Sequence, residues 1–150
     1  MVSAVQKAFN VKGRLSRLGY WRWQLALLVV ASAGFVGAAA LTISGAPRAV
    51  AALAFAPAVV AYAASFCVII RRLHDRGRGA WWLIPLQILP WVLHGGSAYV
   101  QSTLYSEADP RLPMAIGAVL LALLLNLWAF IEIGVLRGQK TANRFGPPPV

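Results

Sequence analysis

Arg71-Arg72-Leu73-His74-Asp75-Arg76-Gly77-Arg78-Gly79 stands in the middle of the chain with a long apolar run on either side. Nine residues hold four arginines, an acid and one of the two histidines. A segment this polar cannot enter hydrocarbon, while the runs beside it are long enough to cross it. The side of the membrane on which this hairpin lies therefore sets the direction of every neighbouring segment.

Outward from the hairpin the chain is an integral membrane protein. It has 150 residues, enough for one domain; 59% are hydrophobic and 12% charged, about half the charged share of a soluble domain. The apolar residues form blocks rather than amphipathic stripes. The net charge of +10 raises nucleic acid as a partner, yet the basic residues fall in three clusters, each beside an apolar block. That is the pattern of membrane topology, so nucleic acid is not expected. Cys67 is the only cysteine, which excludes an internal disulfide, and its apolar setting reads as packing.

The first 20 residues carry Lys7, Lys12, Arg14 and Arg17 and no acid. Val5, Ala8, Phe9, Leu15 and Leu18 give them a partial apolar face suited to a short interfacial helix, which Gly13 and Gly19 interrupt. Residues 21–43 are the first expected span, about 34 Å long as a helix, with Tyr20-Trp21-Arg22-Trp23 marking the interface. The run is longer than a signal-peptide core, and an uncleaved helix is expected. Residues 49–70 are the second span, with small residues four apart (Ala54 and Ala58, Ala61 and Ser65) and a kink expected at Pro57. Trp81-Trp82 open a third span over residues 80–99, interrupted by Pro85, Pro90, Gly95 and Gly96 and expected to bend or unwind towards its far end. Residues 100–112, with Glu107 and Asp109, read as the longest external loop. Residues 113–136 are the fourth span, with Pro113 near the favourable first helical position.

Twelve of the fourteen basic residues fall in segments 1–22, 71–79 and 137–150. By the positive-inside rule both termini and the hairpin are cytoplasmic. The expected fold is all-α: four transmembrane helices in one compact bundle with left-handed crossings.

With these segments on one side, a resemblance emerges. Gly13-Arg14-Leu15-Ser16-Arg17 with Tyr20-Trp21 resembles the opening motif of domain-of-unknown-function family 805. Arg71-Arg72-Leu73-His74-Asp75 with Trp81-Trp82 is similar to its central motif, and Asn143-Arg144-Phe145-Gly146-Pro147 to its closing one. The resemblance runs from about Phe9 to Pro148. Gly79-Ala80 replaces a usual Ser-Gly pair, and Phe145 a common tyrosine; both changes remove a hydroxyl. The resemblance implies a small multi-pass protein of the bacterial inner membrane, and no particular activity.

All three motifs lie at the expected cytoplasmic face. Taken singly, their arginines serve as topological anchors. Taken together, Arg14, Arg17, Trp21, Arg71, Arg72, His74, Asp75, Trp81, Asn143 and Arg144 form a candidate binding surface. Guanidinium forks bind phosphate, so anionic lipid head groups are the expected ligand, with a membrane or cytoplasmic protein and a second copy of the chain as further partners. Asp75 is expected to hold two arginines as a shared counter-ion. No nucleophile stands with a paired base, and no spacing suits a metal, so neither an enzyme nor a cofactor is expected. Within the spans, Asn126 and Glu132 are the notable polar groups. Asn126 is expected to hydrogen-bond a neighbouring helix, and Glu132 to pair with Arg71, Arg72 or Arg22. A small transporter or channel component using these two residues is the alternative reading.

Overall fold

A computed structural model describes residues 4–104 and 109–149. Every named element among them is helical, and the chain gathers into two compact units. The first comprises residues 1–77 and 137–150, the second residues 78–136. Glu107, expected in the external loop, lies outside the described residues.

The first unit is a helical hairpin with a short leading helix and a C-terminal strap. Helix α1, Ala4–Ala8, is a single turn and a little more, so the interfacial helix is shorter than its apolar residues suggest. Helix α2, Arg17–Ile43, starts at Ser16, whose hydroxyl accepts a hydrogen bond from the Gly19 amide at 3.1 Å. That bond satisfies one of the amides that the first turn leaves without a partner. Helix α3, Arg48–Asp75, follows a four-residue turn and runs unbroken through Pro57. It also continues through the first five residues of the charged hairpin, leaving only the turn after Asp75 non-helical. Gly77 makes that turn with a φ of 73°, a backbone that costs glycine little.

Small residues set the distance between α2 and α3. A Cβ on Gly34 would stand 2.9 Å from the Ala58 amide nitrogen, closer than packed atoms come. Phe35 and Phe55 meet edge to face beside this contact, at 6.2 Å. Facing away, Leu25, Leu28 and Val29 are 59%, 60% and 68% exposed. An apolar face this open suits hydrocarbon rather than water.

The second unit is also a helical hairpin. It opens with a 3-10 turn, Ala80–Trp82, then a π-helical segment, Ile84–Ile88, then helix α4, Leu89–Ser102. Helix α5, Leu112–Ala129, follows and widens into a second π segment, Phe130–Val135. Ala115, Ala122 and Ala129, seven apart, are buried. The buried Ser97 hydroxyl donates to the Ala115 carbonyl at 3.0 Å, joining α4 to α5.

The third apolar run departs from expectation. Its irregularity lies at the beginning, around Pro85 and Pro90, while Gly95 and Gly96 sit in regular α-helix. Proline lacks the amide and crowds the carbonyl four residues earlier, which a π turn relieves. Glycine removes no hydrogen bond, and a lipid setting penalises unwinding. Helicity continues to Ser102, beyond the expected end of the span at residue 99. Among the described residues three helices are long and apolar enough to cross a membrane: Arg17–Ile43, Arg48–Asp75 and Leu112–Val135.

Candidate functional site

Asp75 closes the last turn of α3 with its side chain only 3% exposed. One oxygen accepts from Arg14 through Nε at 3.1 Å and Nη2 at 2.9 Å. The other accepts from Arg72 Nη1, one turn earlier on the same helix. Both guanidinium groups are buried as well, at 1% and 0% exposed. One carboxylate and two cations leave a net positive charge inside, and the remaining donors turn to backbone carbonyls.

Arg14 supplies most of those bonds. Its Nη1 donates to the carbonyls of Thr141 at 2.7 Å and Gly146 at 3.3 Å, and its Nη2 also donates to Gln139. The Gln139 amide donates in turn to the Asp75 carbonyl at 2.9 Å. The C-terminal segment is thus strapped to the end of α3 through one arginine from the N-terminal segment. Gly138 is required where the strap passes Asp75, because a Cβ there would collide with the carboxylate. Leu15 pairs its amide with the Arg71 carbonyl at 3.1 Å, which fixes the opening motif against the same turn.

His74 is held on three sides. Its Nδ1 lies 3.1 Å from the Gly13 carbonyl, and since a carbonyl only accepts, the proton is on Nδ1. The ring stacks on Phe145 at 3.8 Å with planes 7° apart, and the Arg144 guanidinium also lies over the Phe145 ring, 4.7 Å from its centroid. Asn143 donates through Nδ2 to the His74 carbonyl at 3.0 Å and to Gln139 Oε1 at 2.8 Å. Its Oδ1 accepts from the Phe145 amide at 2.9 Å, forming a tight turn that a Gly146–Asn143 bridge closes. Residues 13–15, 71–75 and 143–146 are therefore one structure centred on Asp75.

Other candidate residues sit differently. Arg71 is buried without entering the Asp75 network. Trp21 packs edge to face on Tyr20 at 5.3 Å, in the first turns of α2. Arg17 and Arg144 are exposed. Trp81, in the second unit, is 60% exposed and lies against Trp82.

Beside Asp75 an open groove of about 450 Å³ is lined by Ser16, Arg17 and Leu18, by the stretch from Arg137 to Lys140, and by Pro148 and Pro149. Three basic side chains face one acid that two arginines already neutralise. Gln139, Arg137 and Lys140 enter the site without having stood out in the sequence. Their motif-free stretch gives no signal beyond Gly138 and its basic character.

In the second unit the buried Glu132 accepts from Arg78 Nε at 2.8 Å. Arg78 also lies over the Trp82 ring at 3.8 Å, and Trp82 meets Trp128 edge to face at 5.6 Å. The π turn carries Glu132 into this cluster, since it buries Glu132, Ile133 and Gly134 in succession. Asn126 reaches a neighbouring helix: its Nδ2 lies 3.3 Å from His94 Nε2. In the connecting loop Asp109 takes Arg111 Nε and Nη2 on its two oxygens at 3.0 and 2.8 Å. The Arg111 guanidinium and amide hold the Asp109 carboxyl down at about 2.

Two proteins named "Uncharacterized protein YiiR", from Escherichia coli strain K12 and from Escherichia coli O157:H7, are each 28% identical to this chain over 145 residues. The alignments cover 94% of this chain and 86% of theirs. No solved structure matches it. The family described as "Protein of unknown function (DUF805)" matches residues 8–147, a range that takes in α2 through α5 and all three motifs around Asp75. The chain belongs to the DUF805 family.

Proposed function

We propose that this protein is a four-span protein of the bacterial inner membrane, with both termini cytoplasmic, and that its cytoplasmic face binds anionic lipid head groups. The observation that carries the reading is the groove beside Asp75, where Arg17, Arg137 and Lys140 surround an acid already neutralised by Arg14 and Arg72. Basic side chains near an anionic leaflet attract it by about 1 kcal/mol each. Leu18, 60% exposed, and the two prolines offer an apolar rim for the first carbons of a lipid. Arg14 and Arg72 contribute indirectly, because they shape the floor and their side chains are buried. The role is binding, either of lipid itself or of a protein partner recruited at a lipid-covered surface.

The test compares wild type with an Arg137→Ala/Lys140→Ala variant in nanodiscs containing phosphatidylglycerol or phosphatidylcholine only, followed by native mass spectrometry of retained lipid. Loss of two cations should weaken retention of phosphatidylglycerol by about 30-fold. Equal retention of both lipids by both proteins would sink the reading.

A second reading rests on the Asn126–His94 pair, a polar contact between apolar helices. Such groups within a membrane mark candidate pathways. For a small conductor, flux into proteoliposomes should fall in Asn126→Leu and Glu132→Gln and persist in the groove variant.

A further inference from the structure

Among the described residues Arg71 is the one buried charged side chain whose setting nothing above explains. It is nine-tenths buried, and its Nε and Nη2 have no hydrogen-bond partner among the described residues. Those two nitrogens are not an arbitrary pair. Their N–H bonds point in parallel along one edge of the guanidinium plane, the edge that grips two oxygens of one anion. Arg111 uses the same edge in this chain, placing Nε and Nη2 on the two oxygens of Asp109. Arg71 thus presents the same fork with the anion missing.

The chain does not supply that anion from its described residues. It has four acids. Asp75 is taken by Arg14 and Arg72, Asp109 by Arg111 and Glu132 by Arg78, while Glu107 lies outside the described residues. Cys67, one turn earlier on α3, points its thiol to the Ala63 carbonyl at 3.8 Å. A buried guanidinium without a counter-ion is strongly unfavourable, so a partner from outside is required. Arg71 also stands at the end of an apolar helix long enough to span, where lipid phosphates lie.

We infer that Arg71 is the receptor for a single phosphate group, gripped side-on through Nε and Nη2, either on a phospholipid or as soluble phosphate. Arg71 does not line the groove beside Asp75, so this site stands or fails separately from it.

The test is nitrogen–phosphorus dipolar-recoupling solid-state NMR on the full chain with 15N-labelled arginine. In phosphatidylglycerol vesicles an arginine Nε signal should be dephased by phosphorus in the wild type and in Arg137→Ala/Lys140→Ala. The same component should be lost in Arg71→Lys, which keeps the charge and removes the fork. Galactolipid vesicles, which lack phosphorus, separate the sources. Dephasing that returns there on adding inorganic phosphate identifies soluble phosphate, and dephasing confined to phospholipid identifies the lipid. No dephased Nε in the wild type in either medium overturns the inference without any variant having to fold. An unchanged dephased component in Arg71→Lys overturns it as well.

Discussion

Asp75 shows how a single carboxylate organises the end of a membrane helix. It receives two guanidinium groups, one from its own helix and one from residues 61 positions earlier. Removing its charge leaves two buried cations facing each other. Breaking a buried pair in this way costs about 3–5 kcal/mol. Asp75→Asn is therefore expected to lower the Tm in detergent by roughly 10 °C, read by tryptophan fluorescence; a wild-type Tm would show that the arginines find other partners. Asp109 gives the contrasting case at a loop surface. Its carboxyl is held at about 2 by Arg111, so the stabilisation it brings is present above the ordinary value of 3.8 and is lost as pH falls towards 2. A carboxyl-carbon NMR titration should place the midpoint near 2 in the wild type and near 3.8 in Arg111→Ala. A midpoint unmoved by that substitution would exclude the pairing in solution.

At the level of elements, the α2–α3 contact rests on close approach rather than on large side chains. Gly34 has no room for a Cβ against Ala58, whereas Gly37, three residues on, has nothing within 4 Å of where its Cβ would be. Gly34→Ala must push the helices apart and should cost about 1–3 kcal/mol. Gly37→Ala should be neutral or slightly stabilising, since alanine favours helix over glycine. Thermal unfolding of the two variants side by side checks the pair, and equal Tm values would contradict this packing. The irregular start of the second unit follows the same logic in reverse. Pro85 and Pro90 remove amides from one short stretch, and the backbone answers with wider turns while remaining helical.

For the whole molecule the decisive property is how often it crosses the membrane. Among the described residues three helices qualify by length and apolarity, while residues 80–102 reach the same length through three kinds of helical turn. Single cysteines in a Cys67→Ser background distinguish the topologies. With four spans and cytoplasmic termini, an impermeant maleimide should label Ser44→Cys and Thr103→Cys in intact cells, and Lys140→Cys only after permeabilisation. Labelling of Lys140→Cys in intact cells with Thr103→Cys protected would instead mean that residues 80–102 do not cross.

Much of this was written in the sequence, because the bilayer imposes a one-dimensional constraint. Apolar runs of about 20 residues and a proline at the start of the last mark where helices lie. The motifs were legible as well, since Arg14, Asp75 and Asn143 stand in ordered patterns around the apolar blocks. Asp75 was legible as a counter-ion shared by two arginines, but not which two. A sequence full of arginines does not say which ones are neutralised: Arg14 and Arg72 share Asp75, Arg78 takes Glu132, and Arg71 is left with an open fork. Nor did it show the strap from Gln139 to Gly146, whose bonds to Arg14 run through backbone carbonyls that carry no side-chain signature. Hydrophobic blocks and charge clusters are properties of neighbouring residues and survive in any conformation. Ion pairing depends on ångström distances between residues far apart in the chain, which only tertiary structure decides.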